Sequence, residues 1–138
     1  MRYLLLILAL LGLTASSLAL REHYRASGDA PCDINDRWDC GIVNHSPYAV
    51  IHGVPVAVIG MAGYLLLGGL AWRRSYRLML VLAAPALGFS LYLAHIERDV
   101  LGVWCLYCAI SLGAISAMTI LLLAIVVVEV VRKPALNG

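Results

Sequence analysis

WCLYCAISLGAISAMTILLLAIVVVEVV, residues 104–131, is the stretch on which the fold turns. It carries one charged side chain, Glu129, close to its end. A bilayer's hydrocarbon core of ~30 Å takes about 20 apolar residues of helix, and this run exceeds that. Its Ile and Val residues have strand propensity in water. In lipid, however, the backbone must satisfy its own hydrogen bonds, and a run of this length suits a helix rather than a barrel strand. Working back along the chain, three more apolar runs cover residues 78–96, 54–72 and 3–20. They are separated by a short link at 97–103, an arginine-rich turn at 73–77 and a loop at 21–53. The expectation is an all-α integral membrane protein, a four-transmembrane-helix bundle forming one membrane domain over residues 1–138.

Composition agrees with that expectation. Of 138 residues, 62% are hydrophobic and 13% charged, against about 45–50% and about 25% in soluble domains. Ordinary soluble domains and disordered chains are thereby excluded. The net charge is +2 with no basic cluster, which points away from nucleic acid as a partner. The first run has an alternative reading as a cleavable signal peptide ending near residues 15–19; either way, the loop after it emerges on the same side. Arg2, Arg73, Arg74, Arg77, Arg132 and Lys133 fall on one face of the membrane. Arg21, Arg25, Arg37 and Arg98 fall on the other, with every acid except Glu129. The positive-inside rule then puts both termini in the cytoplasm and the loop outside. Trp72, Tyr76, Trp104 and Tyr107 sit where an aromatic belt is expected. Small residues at four-residue spacing, Ala84 and Gly88, then Ala109, Gly113 and Ala117, permit close helix approach. Pro85 is expected to kink the third span.

The four cysteines carry the chemistry. Cys32 and Cys40 lie in the exterior loop, and Cys105 and Cys108 form a Cys-x-x-Cys at the exterior start of the last span. All four thiols then share the oxidising side of the membrane, where disulfides form. On a helix, positions i and i+3 point the same way, so the two sulfurs can close into a readily exchanged disulfide. The helix N-terminus favours a thiolate, as does Arg98, whereas apolar surroundings, Glu97 and Asp99 oppose it. Cys32 and Cys40 sit among Gly28, Pro31, Asp33, Asp36 and Asp39, a polar stretch suited to visiting two partners. About a dozen extended residues, at ~3.3–3.6 Å each, are enough to bring Cys40 to Cys105. Thiolate attack then moves a disulfide from one pair to the other. Two alternatives stand beside this relay. One is a pair of static disulfides stapling the loop. The other is a metal-handling Cys₄ site, for which the wide spacing of the first pair is unsuited.

Further along the loop, Ser46 is a good N-cap, Pro47 suits the first helical position and Gly53 suits the residue past a helix end. These signals predict a short interfacial helix over residues 47–52, too short to span. None of His23, His45, His52 and His95 pairs with another at metal-ligand spacing, and no metal site is expected. His95 has two readings, as an interfacial anchor or as a base near Cys105. Glu129 is expected to snorkel or to pair with Arg132 or Lys133. Tyr64 and Tyr92 read as packing residues.

Taken together, Cys32-x7-Cys40, Ser46-Pro47-Tyr48, Gly53-x-Pro55-x-Ala57-x-x-Gly60 and Trp104-Cys105-x-x-Cys108 resemble the vitamin K epoxide reductase family. The resemblance is to its bacterial disulfide-forming members, and it covers nearly the whole chain. It implies a four-helix bundle around a membrane quinone, of ubiquinone or menaquinone (vitamin K) type, which accepts the electrons. It further implies that Cys108 faces the quinone, that Cys105 exchanges with Cys40, and that Cys32 meets an extracytoplasmic thioredoxin-like (DsbA-type) protein. By the same resemblance the site is in the bacterial inner membrane, open to the periplasmic side, with Ser46, Tyr48, Val56 and Leu112 around the quinone. Vertebrate members that reduce the epoxide carry Asn and Tyr where this chain has Val56 and Leu112. Neither of these can hydrogen-bond a quinone oxygen, which favours quinone reduction over epoxide reduction. Many bacterial members carry a fused thioredoxin-like domain after the last span. With the sequence running to Gly138, the expected partner is a separate protein.

Overall fold

The computed structural model describes residues 2–24, 50–102 and 104–137. Cys32, Cys40, Ser46 and Tyr48 lie outside the described residues. Four helices account for nearly all of the rest: α1 (Arg2–His23), α2 (Val56–Trp72), α3 (Tyr76–Ile96) and α4 (Leu106–Asn137). They close into a ring in which α1 packs on α2 and α4, and α3 packs on α4 and α2. Three helical stretches, Arg2–Arg21, Tyr76–Leu101 and Leu106–Arg132, are long and apolar enough to cross a membrane, and Val56–Trp72 is a shorter apolar helix. Leu10, Leu65, Val81, Ile120 and Val131 are exposed on the outer faces. Such a surface suits lipid, and a soluble monomer rarely carries an apolar patch of that extent.

The core follows from helical spacing. Leu5, Ala9, Gly12, Ala15 and Ala19 form the buried stripe of α1, recurring at the three- and four-residue intervals of one helix face. Across from them, Tyr64, Leu67 and Ala71 of α2 join Met79, Ala83, Ile115, Met118 and Leu122 in a single cluster. Glycines set the α1–α2 distance. Gly12 lies against the ring of Tyr64, which would overlap any added Cβ, and a Cβ on Gly60 would meet Ser16 Oγ at 2.8 Å. Small residues at such crossings let backbones approach where lipid provides no hydrophobic drive. Gly12→Val is therefore expected to destabilise the protein by about 1–3 kcal/mol, the usual cost of overpacking. The measurement is the thermal midpoint in detergent; an unchanged midpoint would mean the two helices do not meet there.

Polar groups in the helices are satisfied locally. Thr14 and Ser17 donate to the carbonyls of Leu10 and Leu13, both at 2.8 Å, and Thr119 donates to Ile115 at 2.7 Å. This return to the i−4 carbonyl is how hydroxyls are accommodated in apolar helices. The α2–α3 turn is as tight as the sequence suggests. Ser75 N–H donates to Leu70 O at 3.0 Å, and Arg74 adopts φ 60° to make the reversal. One end of the bundle gathers the cations: Arg2 lies over the ring of Trp72, and Arg77 Nη2 is 3.4 Å from Glu129 Oε1. Glu129 thus pairs across helices with Arg77, because the antiparallel packing of α3 on α4 brings the two termini together. Both side chains are about half exposed, so the pair contributes little to stability.

The helix expected over residues 47–52 is not helical in its described part. Val50–Ile51 (β1) and Val54–Pro55 (β2) form a small antiparallel hairpin, with Val50 opposite Pro55 and Ile51 opposite Val54. His52 (φ 51°) and Gly53 (φ 81°) make the turn. Two successive positive-φ residues are what a two-residue hairpin loop demands. Gly53 does take the left-handed conformation, but it closes a hairpin instead of ending a helix.

Candidate redox site

The site lies at the end of the bundle opposite Arg2 and Trp72, where α3 hands over to α4. After Ile96 the chain winds into one π-helical turn, Glu97–Leu101, and Gly102 ends it in the left-handed conformation (φ 71°, ψ 8°). A side chain would resist that φ. The reversal returns the chain over its own preceding turn, and Cys105 N–H donates to Glu97 Oε2 at 3.3 Å. Cys105 O accepts from Ala109 N–H at 2.9 Å, so Cys105 stands in the N-cap position of α4, with Cys108 in the first turn. Only a handful of N–H groups at a helix start lack an intrahelical partner, and the Glu97 carboxylate takes one of them.

Cys105 is fully buried (0% exposed), whereas Cys108 is partly exposed. The two side chains are within hydrogen-bonding reach of each other, and Glu97 reaches the Cys108 side chain as well. Ala19, Cys105 and Tyr107 form a second buried cluster, with Ala57, Leu101 and Cys108 packed against it. This cluster clamps the dithiol between α1, the start of α2 and the π turn.

Beside the dithiol opens a cavity of about 610 Å³ lined by all four helices, within the usual range for small-molecule sites. Cys108, Glu97, Val56 and Leu112 line it, with Ala15, Ala57, Phe89 and Leu93 supplying an apolar wall. Deeper in, Tyr64 O–H donates to Ser111 O at 2.7 Å and lies 2.8 Å from Ser111 Oγ. Tyr64 therefore does more than pack: it bridges α2 to α4 across the cavity wall. His95 is exposed and holds Asp99 (Nδ1 to Oδ2, 2.8 Å), while Arg98 Nε is 3.9 Å from Asp99 Oδ1. These three surround the π turn on its outer side. Of the link's three charged residues Glu97 alone turns inward, while Arg98 and Asp99 are exposed, and among the described residues no cation pairs with it. In the sequence its only signal is position, eight residues before Cys105 with a glycine between.

A helical bundle with membrane-spanning segments and a vicinal dithiol on the wall of an apolar cavity defines a class: membrane proteins that work through thiol chemistry. The model of the vitamin K epoxide reductase family matches residues 3–127, most of the chain, and the protein belongs to that family. Membership makes it a membrane thiol–disulfide oxidoreductase. Comparison with curated proteins gives no significant match.

Proposed function

We propose that this protein is a thiol:quinone oxidoreductase that makes disulfides for a separate thioredoxin-like protein and reduces a membrane quinone. One observation carries the reading: the Cys108 thiol lies on the wall of an apolar cavity of about 610 Å³, in contact with its partner Cys105. A ring of ubiquinone or menaquinone type and the start of its isoprenoid tail suit that volume and its apolar walls. When bound, the quinone supplies a two-electron acceptor beside Cys108. Val56 and Leu112, which line the cavity, would hold the ring without hydrogen-bonding its oxygens, and by the family resemblance Ser46 and Tyr48 are its further contacts.

The chain's own part in the chemistry is thiol exchange. Cys32 attacks or receives the partner's sulfur, and its disulfide with Cys40 is reduced as the partner is oxidised. Cys40 then attacks Cys105 and frees Cys108, and Cys32 resolves the mixed disulfide by attacking Cys40, so that the Cys32–Cys40 disulfide re-forms and Cys105 and Cys108 are left as thiols. When these two close again into a disulfide, two electrons and two protons leave the protein, and quinone becomes quinol. The arginines gathered at the Arg2–Trp72 end support an orientation with that end cytoplasmic and the dithiol at the outer surface of a bacterial inner membrane. In this arrangement α2, at about 25 Å of rise, completes a fourth span together with its hairpin.

The test is quinone reduction in detergent by the full-length protein, with a reduced thioredoxin-like protein as donor. Turnover with a ubiquinone or menaquinone analogue is expected. Inactivity with both would reject the reading.

A further inference from the structure

We propose that Glu97 is the proton carrier of the dithiol, taking the proton of Cys108 as the Cys105–Cys108 disulfide forms and delivering it to the quinone oxygen. This rests on the quinone-reducing function proposed above and assigns a catalytic residue to it. Glu97 is 3% exposed and lines the cavity that Cys108 lines. One of its oxygens is held by Cys105 N–H at 3.3 Å, and its carboxyl reaches the Cys108 side chain. Among the described residues no cation compensates it; Arg98 turns outward to Asp99. A carboxyl buried in an apolar bundle without a counter-charge is costly, and an ionisable group at such a place usually marks a working site. As a helix cap alone, an amide oxygen would also accept the Cys105 N–H. What an amide cannot do is accept and release a proton.

The step balances as follows. The S–H bonds of Cys105 and Cys108 break and one S–S bond forms between them. The two electrons go to the quinone. The Cys108 proton passes to the Glu97 carboxylate and from it to one oxygen of the product, while the Cys105 proton accounts for the second hydroxyl of the quinol. In the reverse exchange, when Cys40 reduces the pair, the same carboxyl returns a proton to Cys108.

The test compares wild type with Glu97→Gln and Glu97→Asp, all full length and in detergent, by two readouts. One is quinone turnover. The other is alkylation of Cys108 by iodoacetamide at fixed pH in the reduced protein, followed by mass spectrometry. General acid–base contributions run to about 10²–10⁴-fold, so Glu97→Gln should lose about 10²-fold in kcat, with Glu97→Asp recovering part of it. Alkylation should move the other way and become several-fold faster, because a nearby carboxylate opposes the thiolate and an amide does not. A carboxyl that only caps the helix would also speed alkylation when neutralised, but the amide still accepts the Cys105 N–H, so turnover would then survive. Turnover of Glu97→Gln at the wild-type rate would overturn the proposal, as would a parallel fall in both rates. If wild type itself reduces no quinone, the parent reading fails instead. The alkylation arm then still decides whether Glu97 acts on the thiol.

Discussion

Cys108→Ser is expected to lose quinone reduction by about 10³-fold or more, with little change in thermal midpoint. Removing the group that forms the covalent or electron-carrying bond typically costs that much or more, since a hydroxyl neither ionises at neutral pH nor forms a disulfide. The substitution is nearly isosteric. Cys108 is only partly buried, at the cavity wall, so a serine leaves the surrounding packing in place. The loss should therefore fall on kcat and not on folding. Measuring both turnover and the melting curve separates the two. A variant within tenfold of the wild-type rate would mean that electrons leave the protein elsewhere.

Cys32→Ser is expected to separate two donors. With a reduced thioredoxin-like protein, turnover should fall by about 10²-fold or more; with a small dithiol it should stay within about threefold of wild type, since exchange depends on access to the attacked sulfur. The physical reason is burial. Cys105 has no exposed surface, so a folded partner cannot bring its thiol against it, and a carrier pair must travel between them. A small dithiol can reach Cys40 on the loop and the partly exposed Cys108 directly. Equal losses with both donors would contradict a carrier role for Cys32. No loss with either would leave the loop pair as a staple.

The helices were legible because lipid removes most of the alternatives: the apolar runs at 54–72 and 78–96 correspond to Val56–Trp72 and Tyr76–Ile96 within a few residues. The hairpin at Val50–Pro55 was not, because Ser46, Pro47 and Gly53 carry signals that helix ends and tight turns share. Only the pairing of Ile51 with Val54 decides between them, and pairing is not a property of either residue alone. The spacing of Cys105 and Cys108 predicts that the two side chains come together, and they lie within hydrogen-bonding reach of each other. The inward turn of Glu97 was hidden, since Arg98 and Asp99 beside it look equivalent in sequence. What distinguishes Glu97 is the π turn and the positive φ of Gly102, which bring its carboxyl under Cys105. Glu129 likewise found Arg77 through helix packing that no local pattern records.

The central claim, that the Cys105–Cys108 dithiol delivers its electrons to quinone, is tested most directly by a single-turnover experiment. Fully reduced Cys32→Ser/Cys40→Ser protein, freed of dithiol, is mixed with excess ubiquinone or menaquinone analogue, and quinol is counted against disulfide located by mass spectrometry. The expected result is about one quinol per chain, formed together with a Cys105–Cys108 disulfide, rising to about two when the loop pair is restored. Quinol without that disulfide, or no quinol with either analogue, would contradict it.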